Sequence, residues 1–197
     1  MMEKQSNKLV GKDLINVGIY TAMTLAIFFV VGLLTTLPVM YPFLLFIWPV
    51  VCGIPMMLYY TKIQKFGMIT ITGLICGVFF FFIGYTWIGL TVWAIGGLLA
   101  DLVLKAGKYQ SFKIIMLSYA VFCLGFIGCP APLWLAGQTY WDNIYSSMGD
   151  QYANALQSIM PSWMAFVSLV ILFVGGICGA LLGHKMLKKH FQRAGIV

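Results

Sequence analysis

Charged residues are scarce in this chain of 197 residues. Asp, Glu, Lys and Arg together make up 9% of it, whereas hydrophobic residues make up 61% and the mean hydropathy is +0.95. Soluble domains carry roughly 25% charged residues. The composition therefore excludes a soluble protein and indicates an all-α integral membrane protein. Because the uncharged runs leave no room for a separate soluble domain, we expect a single transmembrane domain over residues 1–197.

The residues needed for common catalytic and metal chemistry are also missing. No G-x-x-x-x-G-K-[ST] motif occurs, so we expect no ATP site and no cofactor on this chain. The five cysteines lie in apolar runs without paired spacing, which favours packing over disulfides or a metal site. Asp142 and Asp150 have no nucleophile or base nearby, and His184 and His190 lie among lysines. The chain is predicted not to be an enzyme and to bind no metal.

Apolar runs long enough to cross a bilayer fill most of the sequence. No Asp, Glu, Lys, Arg or His occurs between Asp13 and Lys62, and "LPVMYP" divides this stretch into two spans of about 20 residues. "GYTWIG" divides the run from Phe66 to Ala100 in the same way. We predict six spans, at residues 14–35, 42–60, 67–83, 87–104, 114–136 and 162–187, with a polar outer loop at residues 137–161.

Basic residues orient the predicted bundle. With six spans, all twelve Lys and Arg residues fall on one side, and the positive-inside rule makes that side cytoplasmic. We therefore expect both termini in the cytoplasm, and the net charge of +7 is explained by topology and anionic lipid rather than by nucleic acid. The first apolar run is too long for a cleaved signal peptide. The residues that set the orientation are Lys4, Lys8, Lys12, Lys62, Lys65, Lys105, Lys108, Lys113, Lys185, Lys188, Lys189 and Arg193.

Aromatic and amide side chains gather at the opposite side. The outer loop is long for a compact membrane protein, and long loops are often functional. Its aromatic residues fit two interpretations, a lid over a ligand or a belt at the membrane interface. We take as candidates for substrate binding the outer residues Met40, Tyr41, Tyr85, Trp87, Trp134, Gln138, Tyr140, Trp141 and Asn143.

Small residues form a stripe on the first span. In "GIYTAMTLA", Gly18, Ala22 and Ala26 are four residues apart and share one helix face. Such a face lets another helix approach closely, and this helix belongs either to a partner or to the chain itself. Similar spacings at Gly73 and Gly77, and at Gly175, Gly179 and Gly183, are our candidates for packing inside the bundle.

In length, topology and this stripe, the chain resembles the substrate-binding S component of an energy-coupling-factor (ECF) transporter. Ala22 and Ala26 match that family's A-x-x-x-A motif, and "GGLLADLV" (Gly96–Val103), which closes the fourth span, is similar to a segment of S components. Within the family it most resembles the Trep_Strep branch, also labelled MptD-like.

The resemblance implies a role and a set of partners. An S component lies in the bacterial plasma membrane and captures a micronutrient from outside. It docks through its first helix onto a membrane T component that carries two cytoplasmic ATPases, and it topples to release the substrate inside. ATP is used by those partners only. Gly18, Ala22 and Ala26 would then form the docking face.

The substrate is left open by the sequence. The outer aromatic residues favour a flat compound such as a vitamin, a nucleobase-like molecule or a porphyrin. No basic residue lies outside, which disfavours a strongly anionic ligand, and a haem would find no outer histidine. The alternative is a membrane scaffold or accessory subunit that transports nothing. Stabilisation by a specific compound would distinguish the two, since only a binding protein responds.

Overall fold

The computed structural model describes residues 9–63, 65–109 and 111–191, and all regular elements in these ranges are helices. The predicted all-helical class is thereby confirmed. In chain order the α-helices of the described part are α1 (Gly11–Gly32), α2 (Tyr41–Tyr60), α3 (Met68–Phe82), α4 (Trp87–Ala106), α5 (Phe112–Leu124), α6 (Pro132–Leu135), α7 (Gln138–Met148), α8 (Asp150–Ile159) and α9 (Met164–Met186).

Helix length separates two groups of apolar helices. Within the described residues, four stretches are long and apolar enough to cross a membrane: Gly11–Thr36, Pro38–Tyr60, Trp87–Ala106 and Met164–Lys189. Two apolar stretches, Met68–Phe82 and Phe112–Gly128, are shorter. The long apolar helices support a membrane protein, while the count of six spans and the cytoplasmic termini stay predictions.

The fifth predicted span, residues 114–136, is not one continuous helix. α5 ends at Leu124, a 3-10 turn follows at Gly125–Gly128, and α6 is only one turn long. Proline has no backbone N–H and its ring clashes with the preceding helical turn. Pro130 and Pro132 therefore prevent α5 from continuing to the end of the predicted span.

The segment predicted as an outer loop, residues 137–161, is largely helical. It contains α7 and α8, which are separated by Gly149. Although the segment is polar in composition, α8 is amphipathic. It buries Ala153 and Leu156 and exposes Asp150 and Asn154. This pattern is what a helix lying on the end of a bundle requires.

Glycines bring the main helices into direct backbone contact. α2 and α9 run in parallel, because Gly175 lies against Phe46 and Gly183 lies against Gly53. α3 and α4 run antiparallel, with Gly73 against Gly97 and Gly77 against Leu90. A methyl group at Gly73, Gly77, Gly179 or Gly183 would collide with the neighbouring helix, and one at Gly175 would lie tightly against Phe46. The predicted packing of these five glycines inside the bundle is confirmed.

An aromatic cluster fills the centre of the bundle. Trp48 stacks on Phe126 with ring centroids 4.4 Å apart, and Phe80 stacks on Trp93 at 5.5 Å. All four side chains are buried. Phe80 also packs edge-on against Tyr85 in the turn between α3 and α4, at 5.6 Å. Through Phe80 the cluster therefore supports the turn between α3 and α4.

We call the end of the molecule where α1 begins and α4 ends the basic end. Several polar and aromatic contacts lie there. Lys65 pairs with Asp13 across 2.8 Å, and the ammonium of Lys105 lies 5.1 Å from the ring centre of Phe66. The ring of His184 stacks on Phe112 at 4.0 Å, which joins α9 to α5. Lys4, Lys8, Arg193 and the side chain of His190, which the sequence predictions also used, lie outside the described residues.

Candidate functional site

The end opposite the basic end, which we call the distal end, is closed by α6, α7 and α8. These helices follow the break after α5 and lead into α9. A side-chain hydrogen bond fastens α8 to the bundle, since the Tyr152 hydroxyl donates to the Thr35 carbonyl oxygen at 2.8 Å. Another joins α6 to the end of α8, since the Trp134 indole donates to the Met160 carbonyl oxygen at 3.0 Å.

A cavity of about 310 Å³ lies beneath these helices. Its walls come from the end of α1, the start of α2, the turn between α3 and α4, and α6, α7 and α8. This volume is at the lower end of the range for small-molecule sites, roughly 300–1,000 Å³. The lining residues are Thr35, Tyr41, Ile83, Gly84, Tyr85, Leu133, Tyr140, Asn143, Ile144, Ser147, Met148, Tyr152 and Leu156.

Four tyrosines give the cavity its polar character. In the part of the chain that the structure describes, the hydroxyls of Tyr41, Tyr85 and Tyr140 have no hydrogen-bond partner, whereas that of Tyr152 is bonded to Thr35. Burial raises the pKa of Tyr140 to about 12 and also raises the pKa of Tyr85 and of Tyr152. These hydroxyls therefore stay protonated at neutral pH and can donate as well as accept hydrogen bonds.

Formal charge is missing from the lining of this cavity. Its set of residues contains no Asp, Glu, Lys, Arg or His. Asp142 and Asp150 belong to the same end of the molecule but are exposed. A buried ion needs a partner charge or several hydrogen bonds to offset its desolvation. The arrangement is accordingly suited to an uncharged guest with hydrogen-bonding groups.

Four of the predicted substrate-binding residues line this cavity: Tyr41, Tyr85, Tyr140 and Asn143. The structure places the other five elsewhere. The indoles of Trp134 and Trp141 donate to the carbonyl oxygens of Met160 and Leu133, so they join elements of the distal end to one another. Gln138 bonds to Asp142 at 3.2 Å on the exposed side of α7, and Met40 lies in a 3-10 turn outside the lining.

Trp87, the last of the five, is 66% exposed and lines a second cavity beside the first. The second cavity lies between the start of α4, the end of α6 and α7. Tyr140 and Asn143 line both cavities, so α7 is the wall between them.

Several lining residues were missed by the sequence analysis, among them Thr35, Ser147 and Tyr152. A signal for Tyr152 was present, since Tyr152, Leu156 and Ile159 are spaced as one face of a helix. The polar composition of the segment, which is typical of a loop, hides this spacing. Thr35 follows the end of α1, and nothing in its local sequence marks it.

The small-residue stripe of α1 faces away from the bundle. Gly18, Ala22 and Ala26 are all exposed, and a methyl group added at Gly18 would meet no atom within 4 Å. α1 packs on α2 and α3 with its other side, which buries Val17, Thr21, Thr24 and Phe28. Unlike the glycines of α2, α3 and α9, the stripe has no helix against it within the part of the chain that the structure describes.

At the basic end, Asp101 of "GGLLADLV" is fully buried at 0% exposure. Its Oδ2 atom accepts hydrogen bonds from the backbone N–H of Gly67 at 3.0 Å, the N–H of Thr70 at 2.7 Å and the Thr70 hydroxyl at 2.6 Å. These are donors at the first turn of α3, which otherwise has no intrahelical partners for them. Asp101 therefore caps α3 from α4.

Cysteine and acidic residues form no metal-binding group in the described ranges, where no three His, Cys, Asp or Glu side chains come together. Cys52, Cys76, Cys123 and Cys129 are buried and free.

Comparison with known proteins gives a family. A family model described as a hypothetical bacterial integral membrane protein (Trep_Strep) matches residues 11–193. No curated protein and no solved structure matches the chain. The match runs from the start of α1 past the end of α9 and so includes both cavities and the exposed stripe. The chain belongs to the Trep_Strep family of bacterial integral membrane proteins.

Proposed function

We propose that this protein is the substrate-capture subunit of an importer of the energy-coupling-factor type. The observation that carries the proposal is the distal cavity, which is uncharged and lined by three tyrosine hydroxyls that have no partner among the residues that the structure describes. Each hydroxyl can donate and accept a hydrogen bond. A ligand with several hydrogen-bonding groups would therefore find partners for them in this cavity.

The substrate that fits best is a small, uncharged, flat molecule of one or two rings. Aromatic walls favour a planar guest, and the hydroxyls of Tyr85 and Tyr140 favour one with several hydrogen-bonding groups. A vitamin-like or nucleobase-like compound meets these conditions. A porphyrin, with four linked pyrrole rings, is too large for a cavity of about 310 Å³.

The energy for uptake would come from partner subunits. The chain has no phosphate-binding motif, and the proposal assigns ATP hydrolysis to two cytoplasmic ATPases bound to a membrane T component. The exposed face of Gly18, Ala22 and Ala26 would receive a helix of the T component. Close helix packing is a main source of association in lipid, where tails are as apolar as leucine.

The proposal includes six membrane crossings with both termini in the cytoplasm. α3 and the shorter stretch that begins with α5 would cross beside the four long helices. A cysteine placed at Lys108 should then stay unlabelled by an impermeant thiol reagent in intact cells, whereas one placed at Asp142 should be labelled. Labelling at Lys108 would reject this orientation.

Ligand binding is tested on the isolated protein. We expect a small molecule to co-purify with it, to be identified by mass spectrometry of the extracted protein, and to raise the melting temperature when added back. Tyr85→Phe and Tyr140→Phe should each weaken its binding by about tenfold, because one hydrogen bond is lost. Tyr145→Phe is the matched control, since the Tyr145 hydroxyl bonds to Asn154 and does not line the cavity.

The opposite result is equally clear. If no molecule co-purifies and no uncharged ring compound from a broad panel changes the melting temperature, the capture function is wrong, and a scaffold or accessory subunit becomes the better explanation.

A further inference from the structure

Two lysines from different helices lie at one junction of the basic end. The ring of Phe112, at the start of α5, stacks on the ring of His184, near the end of α9, with centroids 4.0 Å apart. Lys113 follows Phe112 directly. Lys188 lies about one turn beyond His184, in the helical stretch that continues after α9. Both lysines are exposed, so the stack holds two positively charged turns side by side.

Neither of these lysines has an ion pair within the residues that the structure describes. At the basic end, Asp13 is bonded to Lys65, and Asp101 is buried in its cap of α3. The ammonium groups of Lys113 and Lys188 therefore add to one positive potential that no described side chain offsets. Such a potential attracts a negatively charged group.

The helices α5 and α9 share one outer surface. They run antiparallel, since Gly176 lies against Ala120 while His184 lies against Phe112. α5 also packs on α4, and α9 also packs on α2, so each helix is covered on its other side. The exposed residues of the two helices consequently face outward next to each other, along the line of contact.

This outer surface is apolar below the lysines. Leu117 is one turn from Lys113 and is 40% exposed, and Leu181 is about two turns from Lys188 and is 51% exposed. Residues four or seven apart lie on the same face of a helix. Each lysine therefore stands at the end of an apolar strip on its own helix. An acidic protein surface would leave these leucines without an apolar partner, whereas the acyl chains of a lipid would cover them.

We infer that the junction of α5 and α9 binds an anionic phospholipid. Its phosphate would lie between Lys113 and Lys188, and its acyl chains would lie along Leu117 and Leu181. Lysines at a membrane surface attract anionic headgroups in this way. The inference does not rest on the proposed function, because it requires only an integral membrane protein, which the family shows.

Binding is measured by native mass spectrometry of the full-chain protein in detergent, titrated with phosphatidylglycerol. We expect the first phosphatidylglycerol to bind about tenfold more tightly than phosphatidylcholine with the same acyl chains. Glycerol 1-phosphate, which carries the phosphate without the chains, should show no saturable binding over the same concentrations.

The lysines are tested one at a time. Lys113→Gln and Lys188→Gln should each weaken the binding of phosphatidylglycerol by about fivefold, because each removes one charge beside the phosphate. Lys12→Gln makes the same charge change at an exposed position of α1 and is the matched control. It should weaken binding by less than about twofold, because its charge is not at this junction.

The apolar strip is tested without any change of charge. Leu181→Gln keeps the size of the side chain but places an amide against the acyl chains, which should weaken the binding of phosphatidylglycerol by about threefold to tenfold. Ile19→Gln, at an exposed position of α1, is the control and should have little effect. Melting temperatures should stay close to that of the wild type, since all five positions are exposed.

Three results would overturn the site. If phosphatidylglycerol binds no more tightly than phosphatidylcholine, the lysines do not select an anionic lipid, and an acidic protein partner becomes the better occupant. Equal losses in Lys113→Gln and Lys12→Gln would mean that binding follows the total charge and not this junction. Glycerol 1-phosphate that binds as tightly as the lipid would mean a site for free phosphate. No substrate enters these measurements, so their outcome is independent of the capture function.

Discussion

At the scale of single residues, Asp101 joins two helices at the basic end. Its buried carboxylate receives three hydrogen bonds from Gly67 and Thr70 and thereby ties α4 to the first turn of α3. Gly67 has φ +103°, a backbone conformation that side-chain-bearing residues rarely adopt, which brings its N–H to the carboxylate. The sequence pointed to this aspartate through the "GGLLADLV" segment but not to its bonding partners.

Replacing Asp101 should therefore weaken the fold. Asp101→Ala leaves the donors of Gly67 and Thr70 without their acceptor, and we expect a loss of about 2–4 kcal/mol in the free energy of unfolding. Asp142→Ala, at an exposed position, should change it by less than about 0.5 kcal/mol. Thermal unfolding in detergent compares the two. Equal melting temperatures for Asp101→Ala and the wild type would show that the cap contributes nothing.

The raised pKa of Tyr140 predicts how the stability of the fold changes at high pH. Its pKa rises from the ordinary value of 10.0 to about 12 through burial, so the unfolded chain loses this proton at a lower pH than the folded protein. Its contribution to stability is complete below pH 10 and falls as the pH rises towards about 12, by at most about 1.4 kcal/mol per pH unit.

Tyr140→Phe removes that proton and should make stability fall less steeply over the same pH range. Trp87→Phe, which changes an exposed aromatic residue at the same end, is the control. Denaturant unfolding measured at several pH values gives the slopes. Identical slopes for the wild type and Tyr140→Phe would contradict the raised pKa.

The lining of the cavity shows which site residues can be predicted from the sequence. Tyr41, Tyr85, Tyr140 and Asn143 were predicted because aromatic and amide side chains gather on one side of an otherwise apolar chain. Trp134 and Trp141 carry the same signal but use their indole N–H groups to fasten α6 and α7. Composition alone does not separate a tryptophan that faces a cavity from one that closes a backbone hydrogen bond.

At the scale of helices, backbone contact between glycines sets which elements pair. Gly179 meets the Pro49 carbonyl group and lies against Val50, so a side chain there would force α9 away from α2. Gly18 has the same spacing in sequence but no neighbour. The two positions therefore distinguish packing inside the bundle from packing at its surface.

We expect Gly179→Val to destabilise the protein by about 3 kcal/mol, at the upper end for overpacked sites, because the backbone cannot move aside. Gly18→Val should leave the melting temperature nearly unchanged. Size-exclusion profiles and thermal unfolding in detergent measure both. A Gly179→Val protein that is as stable as Gly18→Val would mean that α2 and α9 are not in the contact described.

Helix boundaries were predicted well where a charge or a turn interrupts an apolar run, as at Lys62 and around Gly84. They were predicted poorly after Leu124, because Gly125, Gly128, Pro130 and Pro132 carry no charge and so leave the uncharged run unbroken. α7 and α8 were missed for the opposite reason. Their polar faces dominate the composition, and only the spacing of their buried residues reveals a helix.

At the scale of the whole molecule, the exposed stripe of α1 is a surface that no other described helix covers. Ala22→Trp should leave the melting temperature and ligand affinity of the isolated protein unchanged, since none of the helices that the structure describes packs there. It should reduce co-purification with a T component and uptake into cells. Met23→Trp, at an exposed position about 100° around α1 from Ala22, should leave both closer to normal.

Loss of ligand affinity in Ala22→Trp together with normal assembly would show that the stripe serves the fold and not a partner. The measurement therefore needs both readouts on the same variant.

Unequal helix length gives the molecule an uneven hydrophobic thickness. α3 has 15 residues and is about 22 Å long, whereas α9 has 23 residues and is about 34 Å long. The hydrocarbon core of a bilayer is about 30 Å thick. In the proposed arrangement, in which α3 crosses the membrane, lipid beside its exposed Leu74, Val78 and Phe82 would therefore thin while lipid beside α9 would not. We expect the protein to be more stable in bilayers of short-chain lipids than of long-chain ones, and to thin the membrane on the α3 side.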